Sequence, residues 1–185
     1  RARPLASMTK LLACSLVLLP LLEVVALPAK YDVACPCTPR SLCSPLTAAA
    51  AKLPLRGGRP EVLAFARGDN FTSYDMSVTT TIATTLAVPS VRSVCFAHSH
   101  GVRVVMLSGE EVDFTNASAR AGLVRKLLNQ TLAYGLDGIN LDIERYSLAP
   151  GPLTQYVAEL GAALKAQSPP LQLSFDLSIS PGGQR

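Results

Sequence analysis

Eight consecutive residues, Asp137-Gly138-Ile139-Asn140-Leu141-Asp142-Ile143-Glu144, carry the strongest chemical signal in the chain. Polar side chains occupy alternate positions inside an otherwise apolar, strand-like run. Successive side chains of a strand point to opposite faces, so Asn140, Asp142 and Glu144 share one face while Ile139, Leu141 and Ile143 share the other. Neighbours on one face lie about 6.5–7 Å apart at their Cα atoms. Burying three such groups without partners is costly, so they must look into a polar cavity or contact one another. Carboxyls so placed suit acid–base cleavage of a glycosidic bond.

Competing explanations of the same residues are weaker. A calcium loop through Asn140, Asp142 and Glu144 is excluded, because Arg145 occupies the sharp-turn glycine position and Gly151 the position of the bidentate glutamate. A solvated acidic turn would not have uniformly apolar residues between its acids. A zinc site built from Cys95, His98 and His100 lacks a second paired cluster at finger spacing, so His98 is read as structural. The site therefore calls for no metal and no cofactor. Tyr134 and Tyr146 are read as packing residues rather than cleft lining, and Asp176 as either an interior or a strand-end residue.

The elements that must hold these acids alternate along the chain. A helix is expected from Ser44 to Leu53, and Arg56-Gly57-Gly58-Arg59-Pro60 is a turn. Strands are expected at Glu61 to Arg67, Thr79 to Val88, Val102 to Leu107, Asp137 to Glu144 and Leu171 to Ile179. Helices are expected at Val91 to Ser99, at Ala117 to Tyr134 with Leu123, Leu127, Leu128 and Leu132 as its apolar stripe, and from Pro152 to Gln167. Alternation without hairpins predicts an α/β fold with a parallel sheet. Acids at a strand's C-terminal end favour a (β/α)8 TIM barrel over a doubly wound sheet, with a small complete α/β sandwich as the alternative. A whole barrel takes about 250 residues, so the chain is expected to supply only about the first five strand–helix units and to leave two sheet edges open.

The N-terminal region reads as a secretory leader. Lys10 precedes the apolar stretch Leu11 to Leu22, small residues follow near Ala26 and Ala29, and Pro20 with Glu23 shortens the run below a membrane span. Arg1 to Ser7 lie ahead of Met8, the expected initiator. The predicted organisation is leader at 1–29, a Cys/Pro-rich arm at 30–60 and a barrel domain at 61–185. In an oxidising compartment Cys35, Cys37, Cys43 and Cys95 are disulfide candidates that would tie the arm to the domain, with three pairings open. Asn70-Phe71-Thr72, Asn116-Ala117-Ser118 and Asn129-Gln130-Thr131 are N-glycosylation acceptors consistent with that route. The formal charge of +4 is spread along the chain without a basic stripe or interleaved aromatics, which argues against nucleic acid as a partner.

The octapeptide resembles the D-G-x-D-x-D-x-E signature of family 18 glycoside hydrolases, the chitinase group. Within that family the pattern is most similar to the chitobiase branch, through Cys35-Pro36-Cys37 with Cys43, Ser73-Tyr74-Asp75, Cys95-Phe96-Ala97-His98-Ser99-His100-Gly101 and the Asn at 140. The resemblance implies a lysosomal enzyme, expected to be a monomer and free of the membrane. It would hydrolyse the β-1,4 bond of chitobiose cores of N-linked oligosaccharides from the reducing end, with N-acetylglucosamine oligosaccharides as substrates. By position, it implies Glu144 as proton donor, Asp142 as the residue orienting the acetamido group, and Asp137 and Asn140 as supports. Family 18 is an exception among retaining glycosidases in using substrate assistance. Asn140 stands where the common chitinase pattern has an acid, and the chain lacks the Trp found on the family's last strand. The runner-up reading is an inactive truncated isoform or a chitinase-like protein that binds chitin oligosaccharides.

Overall fold

The computed structural model describes residues 37, 43–51, 60–85, 89–143 and 150–176. Five strands, β1 (Leu63–Ala66), β2 (Thr81–Thr84), β3 (Arg103–Ser108), β4 (Gly138–Leu141) and β5 (Gln172–Phe175), form one sheet. All four pairings are parallel, and the spatial order is the order in the chain. Between them run α1 (Val91–Ser99), α2 (Ala117–Ala133) and α3 (Pro150–Lys165). A doubly wound sheet would reverse strand order at a switch point. This sheet has no reversal among the described residues, so the alternation read from the sequence resolves to sequential parallel pairing.

Local chemistry explains where the helices begin and end. Ser90 caps α1 by accepting the Ser93 N–H, and Gly101 follows the helix at φ 69°. Asn116 caps α2 with its side-chain oxygen, which accepts from the N–H groups of Ser118 and Ala119. Pro150 and Pro152 both fall in the first turn of α3, where a missing N–H costs nothing.

In-register residues of a parallel sheet share a face. Ile82, Val104, Met106, Ile139 and Leu141 lie on the face packed against the helices and join Val94, Leu123, Leu127, Tyr156 and Leu160 in the main core. The opposite face carries Thr81 and Arg103 in one row, Ala83, Val105, Gly138 and Gln172 in the next, then Leu107, Asn140 and Ser174.

That second face is concave. Gln172 Nε2 on β5 donates to Glu61 Oε1, just ahead of β1, at 2.7 Å, and Thr81 Oγ1 donates to the same carboxylate. Four strand spacings of a flat sheet would separate β1 from β5 by about 19 Å, beyond the reach of two side chains. The sheet therefore curls until its two edge strands approach across the interior. Arg103 lies in this polar layer, only 3% exposed. Burial lowers its pKa, and the negative charges of Asp137 and then Glu61 oppose the shift.

Three sequence expectations need correction. Ser44 to Ala51 form turns, with Ala50 and Ala51 N–H groups donating to Thr47 O, rather than the first two turns of a helix; the remainder of the expected Ser44–Leu53 helix and the Arg56–Pro60 turn lie outside the described residues. The Leu46 N–H in this segment donates to Asp137 and so ties the turns to the domain. The buried stripe of α2 is Arg120, Leu123, Val124, Leu127 and Thr131, leaving Leu132 exposed and Leu128 half-buried. Thr131 donates to Leu127 O within the helix, and Arg120 donates to Phe114 O and to Glu159 of α3, so polar residues face inward with their bonds made. β3 is shifted by one residue from the expected Val102–Leu107, and β1, β2, β4 and β5 are shorter than read among the described residues, with 86–88, 144 and 177–179 of the expected strands outside them.

Two predictions follow from these contacts. Asn116→Ala removes the α2 cap and is expected to lower stability by about 1 kcal/mol in urea unfolding. Tyr156→Phe is expected to leave stability unchanged or raise it slightly, because the fully buried hydroxyl has no partner among the described residues and burial raises its pKa.

Candidate active site

The conspicuous polar residues of β4 separate to opposite ends and opposite faces of the strand. Asp137, ahead of the strand, is 3% exposed. Its Oδ1 accepts the Leu46 N–H at 2.6 Å, and its Oδ2 accepts the Val104 N–H at 2.6 Å and meets His98 Nε2 at 2.8 Å. One carboxylate thus joins the N-terminal arm, β3, α1 and β4. His98 is structural, as its sequence context indicated.

Two glycines permit this convergence. A Cβ on Gly135, at φ 64°, would meet Cys43 O at 2.4 Å, and one on Gly138 would meet Gln172 O at 2.1 Å. The first lets the arm press against the end of α2; the second lets β5 close on β4. Cys37 and Cys95 form a disulfide with Cα atoms 5.6 Å apart, fastening the arm to α1, and Cys43 is also disulfide-bonded. Cys35 lies outside the described residues. Cys95, His98 and His100 do not converge as metal ligands: the Cys95 sulfur is in the disulfide, His98 meets Asp137, and His100 Nδ1 meets Phe96 O at 2.8 Å.

At the C-terminal end of the sheet, Asn140 is fully buried on the concave face. Its Nδ2 donates to Ser174 Oγ at 2.9 Å and to Asp176 Oδ1 at 3.1 Å, both on the β5 side. Its Oδ1 has no hydrogen-bond partner among the described residues. Asp142 follows two residues later, partly exposed, with its N–H donating to Ser108 O. The backbone there is tight: a Cβ on Gly109 would lie 3.0 Å from Asp142 O. Glu144 and Tyr146 lie outside the described residues. Tyr134 packs against the core at the end of α2 and does not line this end.

Ser174 is the residue that sequence reasoning missed, and Asp176 was left between two roles. Both belong to the same kind of alternation that marked β4, because Gln172, Ser174 and Asp176 are polar at every second position among Leu171, Leu173 and Phe175. The sequons divide by geometry. Asn70 and Asn116 are exposed, whereas Asn129 sits within α2 beside a fully buried Thr131.

No protein-family model matches the chain. Curated relatives do. The chain is 34% identical over 175 residues to the di-N-acetylchitobiase of Rattus norvegicus, covering 91% of this chain and 44% of that protein. It is 33% identical over 155 residues to the Homo sapiens di-N-acetylchitobiase, covering 80% and 37%. It is 36% identical over 124 residues to that of Bos taurus, covering 65% of each. By sequence, this chain is similar to the di-N-acetylchitobiases. It spans less than half the length of the rat and human relatives. Among solved structures, the C-terminal domain of a protein assigned as a chitinase from Desulfitobacterium hafniense DCB-2 matches with TM-score 0.52 at 14% identity. That match covers 64% of this chain and 46% of the other, and it shows the fold alone.

Asp137→Ala is expected to strand two buried N–H donors and the His98 ring, at about 1–3 kcal/mol for each unsatisfied group. Denaturant unfolding reads the loss. Amide hydrogen exchange at Leu46 and Val104 should accelerate well beyond that of α3, which separates local release of the arm from global destabilisation.

Proposed function

We propose that the protein carrying this chain is a glycoside hydrolase of the chitobiase type, and that the curled sheet is the first five strand–helix units of an eight-stranded barrel. The observation that carries the reading is the end of β4, where Asn140 and Asp142 sit at the C-terminal edge of a parallel sheet, the edge at which barrel enzymes build their sites. Similarity to the di-N-acetylchitobiases supports the substrate class, an oligosaccharide of N-acetylglucosamine.

In this reading Glu144 donates its proton to the glycosidic oxygen while the substrate's acetamido carbonyl oxygen attacks the anomeric carbon. The C–O bond to the departing sugar breaks as the new C–O bond closes a cyclic oxazolinium. Asp142 orients the acetamido group and stabilises the positive charge that develops on it, and its own charge disfavours a second anion at Glu144. Water then adds at the anomeric carbon with Glu144 as base, so the configuration is retained. Asp137 supports the strand from its far end, and Asn140 supports Asp142. Release of N-acetylglucosamine from the reducing end, a lysosomal setting reached through the secretory route, glycans at Asn70 and Asn116, and a monomeric state complete the proposal.

The test uses the native protein and di-N-acetylchitobiose. Wild type is expected to release N-acetylglucosamine, and Glu144→Gln to lose turnover by at least about 100-fold, within the range for removing a general acid, while still binding the sugar in calorimetry. Undiminished turnover by Glu144→Gln would sink the catalytic assignment. Binding without turnover by the wild type would favour a carbohydrate-binding role.

A further inference from the structure

Asn140 is a fully buried amide with one end satisfied and the other bare. Its Nδ2 has two acceptors on the β5 side, and its Oδ1 has no donor among the described residues. Its neighbours leave few candidates. Leu107, in register on β3, has no polar side-chain atom, and Gly138, two residues earlier, has no side chain. Asp142, two residues later on the same face, is the nearest polar group of the strand toward the open end.

The amide cannot choose its orientation freely. A carboxylate offers only acceptors, so Asp176 fixes the Asn140 amino group on the β5 side, and the Ser174 hydroxyl takes the second N–H. The carbonyl is then held away from β5. Without that constraint the amide could rotate and exchange donor for acceptor at no steric cost, because oxygen and NH2 are nearly the same size.

We propose that Asp176, with Ser174, is a positioning residue that locks the Asn140 amide with its carbonyl presented to the acid cluster. This rests on the glycosidase reading above. A carbonyl facing Asp142 repels its carboxylate and leaves that charge turned toward the substrate's acetamido group. A rotated amide would donate to the same carboxylate and draw it inward, away from the sugar. Asp176 thereby controls the direction of Asp142 without touching substrate.

The experiment compares Asp176→Ala and Asp176→Asn in the native protein. An Asn at 176 offers both a carbonyl and an amino group, so it keeps the packing but no longer dictates which way the Asn140 amide points. Asp176→Ala is expected to lower kcat by about 10–100-fold, the scale of a small misplacement at a reacting centre, with KM changed less than about twofold. Asp176→Asn should lose kcat on the same scale, because it fills the same space without fixing the amide. In an Asn140→Leu background, Asp176→Ala should add little, since it acts through the missing amide. Wild-type kcat in Asp176→Asn, an unchanged kcat in Asp176→Ala, or full additivity in the double variant would each overturn the proposal.

A second measurement needs neither turnover nor a folded Ala variant. In the 15N-labelled wild type, the Asn140 side-chain NH2 should give a resolved pair of protons protected from solvent exchange. Freely exchanging or averaged NH2 protons would overturn the lock. Protected protons in a wild type that cleaves no chitobiose would sustain the lock and reject the glycosidase reading alone.

Discussion

The buried carboxylate of Asp137 is the contact on which the other elements converge. An ion of that size is expensive to remove from water unless its lone pairs are used. Here two backbone N–H groups and an imidazole use them, and each comes from a different part of the chain. The energy of the arrangement lies less in any single bond than in the absence of alternatives. If the arm lifts, Leu46 regains water but the carboxylate keeps its burial with one donor fewer. The glycines beside it serve the same closure, since Gly135 and Gly138 let main chains come nearer than any Cβ would allow. The disulfide from Cys37 to Cys95 holds the arm within reach of the carboxylate even when that contact opens.

Polarity is distributed along the concave face in two separate layers. Near the N-terminal ends of the strands, Glu61, Thr81, Arg103 and Gln172 fill the interior with mutually compensating groups. Near the C-terminal ends, Asn140, Ser174 and Asp176 form a smaller network with one acceptor left over. Between them lie Ala83 and Val105, both fully buried. The lower layer also keeps one buried acceptor, Gln172 Oε1, without a partner among the described residues. The upper layer differs in lying beside a partly exposed acid, Asp142.

The fold was legible in the sequence wherever a repeating pattern carried it. Period-two alternation marked β4, strand–helix alternation implied parallel pairing, and the expected helices at Val91–Ser99 and Ala117–Tyr134 match α1 and α2 to within a residue. What remained hidden were contacts between distant positions. Nothing local in Glu61 announces Gln172, 111 residues away, and nothing in the spacing of four cysteines selects Cys37 with Cys95. Asp137 illustrates the limit: proximity in sequence associated it with the acids, yet alternation puts it on the other face, and its partners come from residues 91 and 33 positions away. Ser44 to Ala51 look helical by composition, yet they form turns whose Leu46 N–H is bonded to Asp137.

Sequential strand order has a consequence for how the molecule is made. Each strand pairs with the one synthesised just before it, so the sheet can grow in the direction of translation, one crossover at a time. The interior cannot be completed on the same schedule. Glu61 leaves the ribosome early and Gln172 late, and until both are present the nascent sheet holds Arg103 beside an unfinished polar layer. The hydrogen bond that draws the two edge strands together therefore forms last, only after β5 has joined the sheet.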